Sequence, residues 1–216
     1  MRIELSTGTP AELVPVADAD RGLVLIPDLM GLRPLFDDHV ARLAAEQGWT
    51  VCAPQVFAGR EHLVAEERMA AVCELVDDEV LADVLAAADA TECETVVLTG
   101  FCMGGMYAIK AAATGRFHRA AAFYGMIRLP EHWKGPGQGE PLDLLAAGEP
   151  CPLLAIIGTE DPFTPPDDVA ALGAAGAVVA SYEGADHGFV HDPVRLAHRP
   201  DDAADAWARV IEFLSE

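Results

Sequence analysis

Basic residues are scarce. The 216-residue chain has 14 Lys and Arg against 35 Asp and Glu, a formal charge of −21. An excess of that size argues against nucleic acid or an anionic membrane as the main partner, because neither is attracted to such a surface. An anionic substrate would also be repelled at long range, so a site for one needs local arginines or backbone dipoles to reverse the field. Long hydrophobic runs are missing too, and none approaches the ~20 residues that span a bilayer. The first residues, MRIELSTGTPAELVP, lack the basic flank and apolar core of a secretory signal. A soluble, cytoplasmic protein is expected, as a monomer or small homo-oligomer. There is no CxxC pair, and the five cysteines (52, 73, 93, 102 and 151) are odd in number and widely spaced. That disfavours a disulfide framework and a structural zinc site. No metal and no cofactor is expected.

What is present is an alternation of two periodicities. Short apolar runs read as buried strands: RGLVLIPD (21–28), TVCAP (50–54), TVVLTG (95–100), RAAAFYG (119–125), PLLAIIG (152–158) and AVVASYEG (177–184). Between them lie helical patterns over 35–48, 62–90 (one or two helices), 103–115, 165–176 and 201–214. Continuous apolar strands separated by helices predict an α/β fold, with a mainly parallel sheet covered on both faces. No repeat and no linker divides the chain, so one domain over 1–216 is expected. The Gly- and Pro-rich stretch KGPGQGEP (134–141) reads as a surface loop. It is no dinucleotide fingerprint, since no strand leads into it.

Function in such a sheet collects at the carboxyl ends of the strands. Four segments end there in useful chemistry: Asp28 after VLIP, Cys102 after VVLTGF, Asp161 after AIIGTE, and His187 after EGAD. GFCMGG (100–105) has the layout of a nucleophile elbow, a sharp strand-to-helix turn with only small residues flanking the nucleophile. The following helix points its free N–H groups and positive end at the sulfur, and the Met103 N–H is placed to donate to an oxyanion. Cys, then Asp, then His, each beyond a separate strand, is the nucleophile–acid–base order of α/β hydrolases. His187 would take the thiol proton, and Asp161 would hold the imidazole. His187 and His191 are four apart, but Gly188 places them in a loop rather than on a helix face, which disfavours zinc.

GFCMGG, with VLIPDLMGL, VCAPQVFAG, IGTEDPFTP and GADHGF, resembles the dienelactone hydrolase family of α/β hydrolases over roughly residues 20–215. The resemblance implies an α/β-hydrolase fold without a large cap domain. It also implies a Cys102–His187–Asp161 triad and an oxyanion hole from the N–H groups of Leu29 and Met103. The expected reaction is opening of a small-molecule ester or lactone through a thioester acyl-enzyme. The alternatives are a general small carboxylesterase or thioesterase, and a non-catalytic ligand-binding protein of the same fold. In the family a Glu holds the resting thiol where this chain has Asp28, so Asp28 is expected to gate Cys102. The family also holds a substrate carboxylate with arginines. Arg68 is the match for one, and His191 stands in place of the other, so neutral or bulkier esters are expected to compete with dienelactone.

Overall fold

The computed structural model describes residues 1–216. Eight strands form one sheet: β1 (Arg2–Glu4), β2 (Pro10–Val14), β3 (Arg21–Ile26), β4 (Thr50–Pro54), β5 (Thr95–Phe101), β6 (Ala120–Phe123), β7 (Leu153–Gly158) and β8 (Val178–Tyr182). Their order is β1-β2-β4-β3-β5-β6-β7-β8. From β4 to β8 every neighbouring pair is parallel, while β1 and β2 join one edge antiparallel. Seven helices connect them: α1 (Pro34–Gln47), α2 (Ala65–Ala71), α3 (Asp77–Asp89), α4 (Met103–Ala111), α5 (Pro141–Ala147), α6 (Pro166–Ala174) and α7 (Pro200–Ser215). No helix is long and apolar enough to cross a membrane.

The sheet is apolar on both faces because successive side chains of a strand point to opposite sides. Leu23 and Leu25 of β3 pack with Phe36 and Val40 of α1 and Val210 of α7. Val24 and Ile26 pack with Val84 of α3 and Tyr107 of α4 on the other face. This two-sided burial is why β3 and β5 read as unbroken apolar runs.

The strands and helices expected from periodicity all occur, and the 62–90 segment divides into α2, a short 3-10 turn and α3. Three elements were not legible. β1, at the edge, and β2, beside it, are short, partly exposed strands without an apolar run. α5 begins at the end of the stretch expected to be a surface loop. That stretch is packed against the 3-10 turn and the start of α3. A Cβ on Gly135 would collide with the Cys73 carbonyl oxygen, and the Gly139 N–H donates to Asp77 Oδ2 at 2.8 Å. Asp77 also pairs with the buried Lys110 of α4 at 2.7 Å. The helix that follows Cys102 is thereby tied to α3 and to the glycine-rich stretch.

Candidate active site

β5 ends at Phe101 and α4 starts at Met103, which leaves Cys102 alone in the turn. Its backbone lies at φ +57° and ψ −119°, a region a side-chain-bearing residue occupies only when its surroundings force it there. The Cys102 N–H donates to Phe123 O at 3.0 Å, and its carbonyl accepts the Met106 N–H at 2.9 Å. The flanking glycines are needed for close approach. A Cβ on Gly100 would collide with the Gly104 carbonyl, and one on Gly104 with the carbonyls of Ile26 and Pro27. The turn therefore holds the sulfur at the positive end of α4.

Asp161 follows β7, and its Oδ1 accepts the N–H of Phe163 at 2.8 Å. Its Oδ2 lies 2.8 Å from Nδ1 of His187, which follows β8 in a loop with Gly184 and Gly188 at positive φ. Tyr124 and Phe163 meet the imidazole edge-on at 5.1 and 4.9 Å between centroids. Burial pulls the His187 pKa down. Hydrogen bonds to the Asp161 carboxylate and the Cys102 sulfur outweigh it and push the value up to about 10. The imidazole is thereby held basic, between a carboxylate and a sulfur.

Leu29 and Met103 bracket the same place. Met30 donates its N–H to Asp28 Oδ1 at 2.9 Å and Gly31 to the Asp28 carbonyl at 2.9 Å, while the Leu29 N–H takes no acceptor among the loop hydrogen bonds. Met103 is the first residue of α4, so its N–H has no acceptor within the helix. Cys102, His187 and Leu29 line a cavity of about 260 Å³ with Asp28, Met30, Ala65, Met69, Met126, Trp133, Phe163 and Arg195. A groove of about 420 Å³ beside Phe57 and α3 is larger but holds no nucleophile–base pair.

Neither residue expected to bind substrate lines this cavity. Arg68 is buried, and its guanidinium donates to the carbonyls of Leu63 at 3.0 Å, Glu61 at 2.8 Å and Leu29 at 3.5 Å. It braces the Leu29 loop from behind, with one N–H of each guanidinium nitrogen given to a backbone carbonyl. His191 is 1% exposed and sits behind Asp28. Burial lowers its pKa despite its contact with Asp28, so the ring is neutral near pH 7. Its Nε2–H donates to Asp28 Oδ2 at 2.9 Å, and its Nδ1 accepts the Tyr124 hydroxyl at 2.5 Å.

Asp28 is on the cavity wall with Cys102, as its position at the end of β3 requires, but its hydrogen bonds go elsewhere. Arg33 grips Oδ1 at 2.7 Å and Oδ2 at 2.8 Å, in addition to the bonds from Met30 and His191. Burial disfavours the charged carboxylate. The His191 and Arg33 hydrogen bonds outweigh that and hold the Asp28 pKa well below the usual range. Sequence reasoning missed Arg33, Tyr124 and Phe163. A basic residue five positions after Asp28 was the available signal for Arg33. Tyr124 and Phe163 carried none beyond lying just past strand ends.

A family model described as the dienelactone hydrolase family matches residues 11–216. A Synechocystis sp. chain provisionally named carboxymethylenebutenolidase is 30% identical over 211 residues, covering 88% of this chain and 84% of its own length. The carboxymethylenebutenolidase of Rhodococcus opacus is 27% identical over 212 residues, covering 91% and 83%. In fold, the chain is similar to a crystal structure from Klebsiella pneumoniae provisionally named dienelactone hydrolase. The TM-score is 0.86 at 23% identity, with 100% of this chain and 98% of the other covered.

Proposed function

The chain belongs to the dienelactone hydrolase family and hydrolyses ester or lactone bonds, and on that premise we propose that Cys102, His187 and Asp161 carry the reaction through a thioester acyl-enzyme. The observation that supports this most directly is the placement of His187. Its Nδ1 is fixed by Asp161 at 2.8 Å, and its other side faces the sulfur in the strained turn.

The geometry supports the following steps. The thiol proton passes to His187 Nε2, and the sulfur attacks the carbonyl carbon. The carbonyl π electrons move onto oxygen, where the N–H groups of Leu29 and Met103 receive the charge. Collapse breaks the carbon–oxygen bond, and the leaving oxygen takes the proton from Nε2. In a lactone that oxygen stays tethered to the acyl group. Water then gives a proton to Nε2 and its oxygen to the thioester carbon, and the sulfur departs to recover the proton. A thiolate suffices here because enolate and aryloxide leaving groups are good ones.

The cavity wall is mostly apolar, with Leu29, Met30, Met69, Met126, Trp133 and Phe163 around the sulfur. Arg195 is the one cationic side chain in the lining, and no carboxylate pairs with it. It is the group that would take a substrate carboxylate, and the apolar wall suits a neutral acyl group equally well. The test is stopped-flow hydrolysis of an activated ester, where a burst of one product equivalent per site is expected. A linear trace with no acyl-enzyme by mass spectrometry counts against the mechanism. Comparing dienelactone with its methyl ester tests substrate choice, and a preference for the anion of about a hundredfold or more (~2.7 kcal/mol) would show that Arg195 dominates.

A further inference from the structure

We propose that Arg33 is a charge lock on Asp28: its guanidinium holds both carboxylate oxygens, so the resting Cys102 thiol is left to His187 rather than held by Asp28. Arg33 begins no catalytic step. It is a positioning residue for a neighbour of the nucleophile, and the proposal rests on Cys102 being the reactive thiol.

The geometry carries the argument. Asp28 and Cys102 lie on one cavity wall, where an uncompensated carboxylate would oppose formation of thiolate by like-charge repulsion. Asp28 is not uncompensated. Oδ1 accepts from Arg33 and Met30, and Oδ2 accepts from Arg33 and His191. All its acceptor directions are used, and the bidentate guanidinium supplies the matching charge. Arg33 is itself fixed by its position over the Phe36 ring at 4.9 Å and by a hydrogen bond to the Gly31 carbonyl at 3.2 Å. His191 locks from the other side, oriented by Tyr124 Oη at its Nδ1 and by His39 Nε2 at its carbonyl, 2.7 Å away.

The gating role expected of Asp28 thus takes a conditional form. The carboxylate can reach for the thiol only when Arg33 lets it go, and with Arg33 in place the gate stands open. The charged and titratable groups around the sulfur are His187 from the loop after β8, with Asp161 behind it, Asp28 just after β3, Tyr124 just after β6, and Arg195 in the lining. Of the lining carboxylates and cations, Asp28 is the one whose charge is matched by an arginine outside the lining.

The experiment reads the thiol rather than turnover. The rate of Cys102 alkylation by iodoacetamide, located by peptide mass mapping, is followed against pH for wild type, Arg33→Met, Arg33→Lys, and Arg33→Met combined with Asp28→Asn. In Arg33→Met the freed carboxylate is expected to slow alkylation at neutral pH roughly tenfold and to move the profile about one unit higher. The double variant should return the midpoint to within about 0.3 unit of wild type, since removing the Asp28 charge removes the effect. Arg33→Lys keeps the charge and should keep the midpoint, which covers the case in which Arg33→Met folds poorly. Simple loosening of the loop would lower the rate at every pH without moving the midpoint, and that result overturns the lock. An unshifted midpoint in Arg33→Met, or a double variant as shifted as the single one, overturns it too. If Cys102 is alkylated in no variant, the nucleophile assignment fails and the lock with it. If Cys102 reacts but is indifferent to Arg33, the lock alone fails.

Discussion

Asp161→Asn should cost more than its small change in shape suggests. In the native site Oδ1 is committed to the Phe163 N–H at 2.8 Å, and Oδ2 faces His187 Nδ1 at 2.8 Å. An asparagine must keep its oxygen on the Phe163 N–H, because its amide cannot donate to another donor. The NH₂ group is then turned to His187, where Nδ1 must accept. The neutral imidazole is left with its proton on Nε2, the atom that has to receive the thiol proton. Two losses add. A hydrogen bond to a charged group is worth about 1.5–3 kcal/mol, or roughly 10- to 100-fold in rate. The wrong tautomer costs a further factor on the order of ten. A fall in kcat of about 10²–10³-fold is expected, with KM little changed. The assay is steady-state hydrolysis of an activated ester, with circular dichroism to show the fold is kept. Asp161→Ala is the informative control. It removes the carboxylate but leaves the imidazole free to choose its tautomer, so it should be no worse than Asp161→Asn. If Asp161→Asn stays within about threefold of wild type, or clearly exceeds Asp161→Ala, the tautomer argument is wrong.

Among the five cysteines, alkylation of Cys102 alone should abolish activity. Burial pushes Cys52 up to about 12 and Cys151 up to about 11, so neither should compete near neutral pH. Full activity with Cys102 modified would remove it from the mechanism. His187→Ala should lose about 10²–10⁴-fold in hydrolysis, while a silent His187→Ala would mean the wrong base has been named. The fold should also weaken in acid. Burial lowers His39 to about 4 and lowers His191, and a histidine whose folded pKa is depressed gives stability that is present above about 6.5 and lost as pH falls towards the folded value. His39 alone corresponds to roughly 2–3 kcal/mol by pH 4, measurable by urea unfolding. A stability curve flat from pH 7 to pH 4, or unchanged by His39→Phe, would contradict this.

The sequence by itself determined the parts that local rules control. Two-sided burial writes β3 and β5 as unbroken apolar runs. The collision of any Cβ with the Gly104, Ile26 and Pro27 carbonyls leaves only glycine at positions 100 and 104, so the elbow is visible as GFCMGG. The chain order of Cys102, Asp161 and His187 follows from their places beyond three separate strands, β5, β7 and β8. Only the tertiary structure decided what each charged side chain does. Arg68 in α2 and Arg33 just before α1 are both arginines, yet one donates to three backbone carbonyls and the other clamps a carboxylate. His191 meets Asp28 across 163 residues of chain, and the stretch 134–141 is held by α3, from more than fifty residues earlier. β1 and β2 bury too little to leave an alternating pattern. The physical reason is common to these cases. Periodicity and glycine sterics act over a few residues and leave a mark in the local sequence. The partner of a long polar side chain is set by which loops the sheet brings within about 3 Å of it, and no short stretch of sequence encodes that meeting.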